Sequence, residues 1–278
     1  MSTLTGEKSQ TDEWNTTALD VDAYLRRIGH PRVEPSAAAL RSLTEAHVRA
    51  IPFENIDVIL RRHRGLALDV VAGKLVGRQR GGYCYEHALL FAAVLENLGF
   101  EVRRSVARVQ PDRSGPRTHM ILVVRADGIE HLVDVGFGAG QLYPAPLRDG
   151  ALIDQAGWEH RVTRDGALWT LAKRTGEGWE ILHEFDGTPQ RPIDYEVFHH
   201  YVSTHPRSPF YGQLVVMRLD HGVNKRLVGD TLTVEHADGR VERTPVTAAN
   251  LEEILRGLDV VLDAEELAAL RQWWETRN

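Results

Sequence analysis

Two rhythms of apolar and polar positions run along this chain, and one gives way to the other near residue 100. From Asp20 to about Phe100 the apolar positions recur at helical spacing. Val21, Tyr24 and Leu25 stand three and four apart, and Leu40, Leu43 and Val48 follow Ser36, a residue type that caps helix starts. Pro52 should stop the second of these helices, because it has no N–H to donate and its ring clashes with the preceding turn. A further helix is predicted to start at Gly82 to Cys84. It carries Leu90, Val94 and Leu98 at i, i+4 and i+8, with Gly99 as its stop.

From Glu101 to about Glu184 the pattern shortens into β-rich runs, HMILVVR, EHLVDV, ALWTLAK and GWEILHEF, separated by turn pairs such as Asp127-Gly128 and Asp165-Gly166. These predict an antiparallel meander or small barrel. From about residue 205 strands (GQLVVMRL, DTLTVEH) mix with two final helices, one after Thr247 and one opened by the capping box Asp263-x-x-Glu266. Helical, then β, then mixed is the order of an α+β fold. Residues 1 to about 19 have no hydrophobic period and are dense in Thr, Ser and charge, which predicts a mobile tail. No repeat recurs at a fixed period, so a solenoid is not expected.

The 278 residues are 42% apolar and 26% charged, an ordinary globular balance that excludes wholesale disorder. With 33 Lys and Arg against 39 Asp and Glu, the net charge of −6 gives no footprint for a phosphate backbone, so nucleic acid is not expected as a partner. The polar N-terminal segment lacks the apolar core of a signal peptide. The longest unbroken apolar stretch, Ala88 to Leu95, is far below the roughly 20 residues of a membrane-spanning helix. A soluble, cytoplasmic protein without a membrane partner is the expectation. The single cysteine forbids an intrachain disulfide and a Cys-rich metal site.

That cysteine lies in Arg80-Gly81-Gly82-Tyr83-Cys84-Tyr85-Glu86-His87, where a glycine-rich loop becomes the first turn of an apolar helix. Unpaired backbone N–H groups and the positive end of the helix dipole favour a thiolate there. The two glycines let the chain turn tightly and leave room beside the sulfur for an incoming carbonyl. A lone cytosolic cysteine is more often inert and buried. The glycine loop and the helix start favour a nucleophile.

A thiol nucleophile needs a base, and 13 histidines are too many to choose among by counting. Hairpin geometry narrows them. His119 heads the strand HMILVVR, and Asp134 lies in the next strand beyond a turn around Arg125 to Gly128. If Ala126 and Asp127 are the turn residues, His119 faces Asp134 directly across the ladder; if Asp127 and Gly128 are, the two are diagonal neighbours. Both registers put them on one sheet face. The carboxylate would then fix the ring tautomer and leave the other nitrogen for the thiol, although a purely structural polar pair is an equal reading of the hairpin alone.

Other features carry less. Gly136-Phe137-Gly138 lacks the further glycine of a dinucleotide fingerprint. His199, His200 and His205 lack metal-ligand spacing, so no metal is assigned. Arg61-Arg62 and Arg103-Arg104 read as solvated faces, and Trp273-Trp274 as packing for the last helix.

At this level of detail the chain closely resembles prokaryotic arylamine N-acetyltransferases. Their nucleophile motif Arg-Gly-Gly-x-Cys-x-Glu stands here as Arg80 to Glu86. Their later blocks recur as Ile51-Pro52-Phe53-Glu54-Asn55, Thr118-His119, Val133-Asp134-Val135-Gly136-Phe137-Gly138 and Ser203-Thr204-His205-Pro206-x-Ser208-x-Phe210. The resemblance implies a cysteine-protease- and transglutaminase-like core in three parts: a helical bundle over residues 1–100 bearing the cysteine, an antiparallel β-barrel over 101–204 bearing the histidine and aspartate, and an α/β lid over 205–278. It implies catalytic roles for Cys84, His119 and Asp134, an apolar acceptor pocket of Phe53, Val109, Phe137 and Phe210, and a supporting ion pair of Glu54 and Arg80. It further implies ping-pong transfer from acetyl-CoA, as acyl donor, to an arylamine or arylhydrazine, without a metal. An amide synthase of the same family, closing a polyketide macrolactam with the same triad, is the alternative; a transglutaminase-like hydrolase and a non-enzymatic binding domain are more distant ones. Ala88 stands where the family usually carries Asn, and the segment between Val109 and His119 is short.

Overall fold

In the computed structural model, which describes residues 12–113, 115–138 and 140–277, the helical rhythm of the first part resolves into α1 (Val21–Ile28), α2 (Ala37–Ala50), α3 (Ile56–Ile59), α4 (Leu68–Leu75) and α5 (Cys84–Asn97). The caps are those the sequence predicts. Asp20 Oδ1 accepts from the Ala23 N–H at 2.8 Å and Ser36 Oγ from the Ala39 N–H at 3.1 Å, each satisfying a donor the first turn leaves unpaired. α2 ends at Ala50, just before Pro52. α5 is buried on every face from Cys84 to Leu95, which a helix apolar all round requires, and it forms the axis of the largest hydrophobic cluster.

Part of the expected N-terminal tail has local structure. Thr16–Ala18 forms a turn of 3₁₀ helix, and the Trp14 ring packs against the Tyr195 ring and under the Arg104 guanidinium, 4.2 Å from its centroid. A stacked cation and a buried aromatic edge order a segment whose composition alone reads as mobile. Residues 1–11 of the expected tail lie outside the described residues.

The β-rich part forms an eight-stranded antiparallel sheet, curled into a nearly closed barrel. Its strands are β2 (Glu101–Val109), β3 (Arg117–Ala126), β4 (Ile129–Val133), β5 (Ala145–Pro146), β6 (Leu152–Asp154), β7 (Glu159–Asp165), β8 (Leu168–Thr175) and β9 (Gly178–Phe185), in the spatial order β5-β4-β3-β2-β9-β8-β7-β6. The β3–β4 register pairs Leu122 with Val133 and Ala126 with Ile129. Asp127 and Gly128 are therefore the turn residues. Both have positive φ, 49° and 78°, as a two-residue turn matched to strand twist demands. Of the two registers the sequence leaves open, the diagonal one is adopted.

A helix the sequence reading does not contain, α6 (Pro192–Thr204), follows the barrel. Pro192 sits in its first turn, and Asp194 Oδ2 accepts from the Arg191 N–H at 2.8 Å. Only Tyr195 and Val202 of this helix are fully buried, so its apolar period is faint. The last segment gives β10 (Val215–Asp220), β11 (Val223–Val228), β12 (Thr231–His236), β13 (Val241–Pro245), α7 (Leu251–Gly257) and α8 (Ala264–Thr276). The expected capping box of α8 is present, with Asp263 accepting from the Glu266 N–H and Glu266 from the Asp263 N–H. A two-residue strand far upstream, β1 (Phe53–Glu54), pairs with β10 and completes this second sheet. Leu214, Val216, Leu227, Leu251, Leu270 and the buried Trp274 fill the core between this sheet and the last two helices. Among the described residues no helix is long and apolar enough to cross a membrane.

Candidate active site

The glycine loop ahead of Cys84 is held from three sides. Gly82 N–H donates to the Pro52 carbonyl at 3.3 Å, the Glu54 N–H donates to the Gly82 carbonyl at 2.7 Å, and the Tyr83 N–H donates to Glu86 Oε2 at 3.1 Å. Gly81 has no room for a side chain: a Cβ there would stand 1.9 Å from the Pro52 oxygen. Gly136 is equally constrained, since its Cβ would lie 2.7 Å from Cys84 Cα. The loop after β4 therefore passes against the backbone of the cysteine. Cys84 itself is 4% exposed.

His119 Nε2 lies 2.6 Å from Asp134 Oδ2, both side chains buried. The second carboxylate oxygen, Oδ1, accepts from the Gly136 N–H at 3.2 Å. Cys84 lies close enough to the His119 ring to contribute to its electrostatics, which places the thiol near the imidazole and carboxylate expected from the sequence. Burial by itself would lower the pKa of His119. Asp134 and Cys84 outweigh it, and the imidazole is pushed up to about 10. Burial would raise Asp134, but His119 and then His183 hold its carboxyl well below the usual carboxylate range. The resting pair is thus imidazolium and carboxylate. The Tyr85 hydroxyl donates to the Thr118 carbonyl and fixes the peptide that carries His119.

The expected Glu54–Arg80 pair belongs to a larger buried charge cluster. Arg80, 1% exposed, donates from Nε to Glu54 Oε1 at 3.0 Å, from Nη2 to Asp57 Oδ1 at 2.8 Å and from Nη1 to Glu266 Oε1 of α8 at 2.7 Å. Lys74 Nζ adds contacts to Asp57 at 2.8 Å and Glu86 at 3.0 Å. Burial would raise Glu86, yet Lys74 and His63 hold it well below its ordinary range. It is therefore a charged cap on the helix that begins with Cys84.

Of the residues expected to line an acceptor pocket, Phe53 and Phe210 stand together with ring centroids 5.7 Å apart. The Phe137 ring meets His119 edge-on at 5.2 Å, and Val109 of β2 stands opposite His183 of β9. A cavity of about 1030 Å³ lies elsewhere. Asp57, His63, Tyr195 and His199 line it, and Cys84, His119 and Asp134 do not.

Several side chains near the site escape sequence reading. His183 is fully buried, with Nε2 3.3 Å from Asp134 Oδ2. His119, Asp134 and His183 present ligand atoms within 4.8 Å of one another, but the 2.6 Å contact is that of a proton shared between nitrogen and oxygen. His199, read as one of a solvated or core cluster, bonds the Tyr83 hydroxyl. Arg104, expected on a solvated face, is 5% exposed and paired with Glu96 through both η nitrogens, at 2.6 and 2.9 Å. A guanidinium paired end-on with a carboxylate can be buried where a lone one cannot. His87 closes a buried chain in which Tyr24, His47, His87 and the Pro52 carbonyl are linked at 2.7, 2.8 and 3.1 Å.

Beside this arrangement of a helix-start thiol, an imidazole on β3 and a carboxylate just past β4, a family model described as N-acetyltransferase, a class of acyl-transferring enzymes, matches residues 36–266. The chain is 41% identical over 236 residues to the arylamine N-acetyltransferase of Mycolicibacterium smegmatis, covering 81% of this chain and 85% of that one. The crystal structure of the Nocardia farcinica arylamine N-acetyltransferase superposes with a TM-score of 0.87 at 40% identity, over 94% of this chain and 97% of that one. The Mycobacterium marinum enzyme, solved in complex with CoA, gives 0.83 at 34% identity over 91% and 99%. The chain belongs to the arylamine N-acetyltransferase family.

Proposed function

We propose that the protein carries an acetyl group from acetyl-CoA to arylamines and arylhydrazines through an acetyl-Cys84 intermediate. The carrying observation is the buried His119–Asp134 hydrogen bond, with Cys84 close enough to help raise the imidazole pKa. The sulfur attacks the thioester carbonyl carbon while its proton resides on His119 Nδ1, and the positive end of α5 supports the charge on sulfur. The bond from acetyl carbon to CoA sulfur breaks, and the departing thiolate takes the proton from His119. The acceptor nitrogen then attacks the acetyl carbon, neutral His119 removes its proton, and the Cys84 sulfur leaves. Asp134 keeps the ring in one tautomer and stabilises the imidazolium in both halves.

Exchange of one thioester for another is nearly isoenergetic, so the acetyl-enzyme persists until an amine arrives, provided water is excluded. Phe53, Val109, Phe137 and Phe210 serve as the apolar walls that do so and that hold the flat acceptor ring. Glu54 and Arg80 support the loop from behind. The relative solved with CoA supports a CoA thioester as donor. Intact-mass spectrometry after mixing with acetyl-CoA alone should show one added acetyl group on the wild type and none on Cys84→Ala. A wild type that stays unmodified would overturn the proposal. Aniline and hydrazine acceptors should then discharge the adduct, with one CoA released per product.

A further inference from the structure

We propose that His183 is a positioning residue for acyl transfer, placed beside His119 against the same oxygen, Oδ2, of Asp134. This rests on the reading of Cys84, His119 and Asp134 given above. His183 stands on β9, opposite Val109 of β2 and Leu171 of β8, and is fully buried. Its Nε2 is 3.3 Å from the oxygen that His119 approaches at 2.6 Å. Around it stand the rings of Phe137 at 5.5 Å, His119 at 5.6 Å and Phe185 at 6.1 Å. The titratable groups that face it are Asp134, His119 and, from β7, His160.

Neither ring nitrogen of His183 completes a well-aligned hydrogen bond among the described residues. A fully buried imidazole in that condition costs free energy that a phenyl or aliphatic group between Phe137 and Phe185 would not. What the imidazole places beside the carboxylate instead is Nε2, 3.3 Å from Asp134 Oδ2. Burial holds His183 below its ordinary pKa despite Asp134, so it stays neutral beside the His119 imidazolium and does not compete as a second cation. With the Gly136 N–H on Oδ1, and His119 at 2.6 Å and His183 at 3.3 Å from Oδ2, the carboxylate has a polar neighbour at each oxygen, which favours its ionised form. An Asp134 that rotates or takes up a proton stops stabilising the His119 imidazolium, and with it the charged sulfur.

The test is the pH dependence of Cys84 alkylation by iodoacetamide in the full chain, which needs no acyl donor. His183→Phe keeps the volume and loses the donor; His183→Gln carries an amide N–H where Nε2 stood. The acid limb of the profile should move up by about one unit in H183F, a tenfold loss of labelling at a fixed pH on that limb, and return to near the wild-type position in H183Q. A wild-type limb in H183F, or equal displacement in both variants, would overturn the proposal. Should either variant not fold, ¹⁵N spectra of the imidazoles in the wild type decide. A neutral His183 protonated on Nε2 is expected, and protonation on Nδ1 or on both nitrogens refutes it. Failure of the wild type to form an acetyl-enzyme would sink the acyl-transfer reading separately.

Discussion

Replacing Arg80 by methionine should destabilise the fold strongly while leaving Cys84, His119 and Asp134 in the chain. Arg80 neutralises three carboxylates: Glu54, fully buried, Asp57, and Glu266 of α8. Methionine keeps the apolar stem and removes the charge. Taking one partner from a buried ion pair costs about 3–5 kcal/mol, because the remaining charge stays desolvated. Lys74 Nζ, 3.7 Å from Glu54 and 2.8 Å from Asp57, offsets part of this and puts the expected loss near the lower end, about 3 kcal/mol. Urea unfolding at neutral pH measures it directly, with the extrapolated free energies compared at equal slope. Glu54→Gln on the same background should restore about 1–2 kcal/mol of the loss, since the orphaned charge is then gone. A loss under about 1 kcal/mol for Arg80→Met, the size expected of an exposed pair, would show that the cluster is screened and refute the reasoning. So would the absence of any relief from Glu54→Gln.

Gly136→Ala should leave far-UV circular dichroism unchanged and cut acetyl transfer about a hundredfold, because a Cβ 2.7 Å from Cys84 Cα forces the nucleophile aside by nearly an ångström; activity within threefold of wild type would count against that close approach. The His119–Asp134 pair makes stability pH-dependent in a defined window. His119, raised to about 10, contributes fully below its unfolded value of about 6.5 and loses its contribution as pH climbs towards 10; Asp134, depressed, contributes above about 4 and loses it on acidification. The stability difference between wild type and Asp134→Asn should thus be greatest between about pH 4 and 6.5, and urea curves at several pH values that show a constant difference would contradict it. The acetyl-Cys84 adduct and the alkylation profiles of the His183 variants complete the set.

Local chemistry was legible in the sequence where the structure depends on neighbours along the chain. Ser36 and Asp263 cap as their residue types require, and Cys84 opens its helix because two glycines precede an apolar run. The hairpin linking His119 to Asp134 was readable up to its register. The backbone at Asp127 and Gly128 then decides, since both take the left-handed conformation that these two residue types tolerate best. What was hidden depends on pairings distant in sequence. His183 meets Asp134 only because β9 lies against β2, and nothing in the run GWEILHEF announces that neighbour. Glu266 reads as a helix cap and is one, but its carboxylate also reaches Arg80 from 186 residues away. Arg104 reads as solvated because its partner Glu96 sits on a helix, across a turn, and its cover, Trp14, in a segment that looks like tail. α6 is missed because few of its residues are fully buried.

The pairing of Phe53 and Glu54 with Met217 and Val216 bears on the order in which the molecule can be built during synthesis. The loop ahead of the thiol leans on a strand whose partner lies in the final quarter of the chain, and its arginine leans on the last helix. A nascent chain that has emerged only through the barrel already contains the sulfur, the imidazole and the carboxylate, yet lacks both supports. Such distant contacts close late, after the ends of a long loop have met. Chemical competence therefore arrives only once β10 and α8 have emerged, and a ribosome-stalled or proteolytically shortened product that lacks them carries the thiol, the imidazole and the carboxylate without the frame that aligns them.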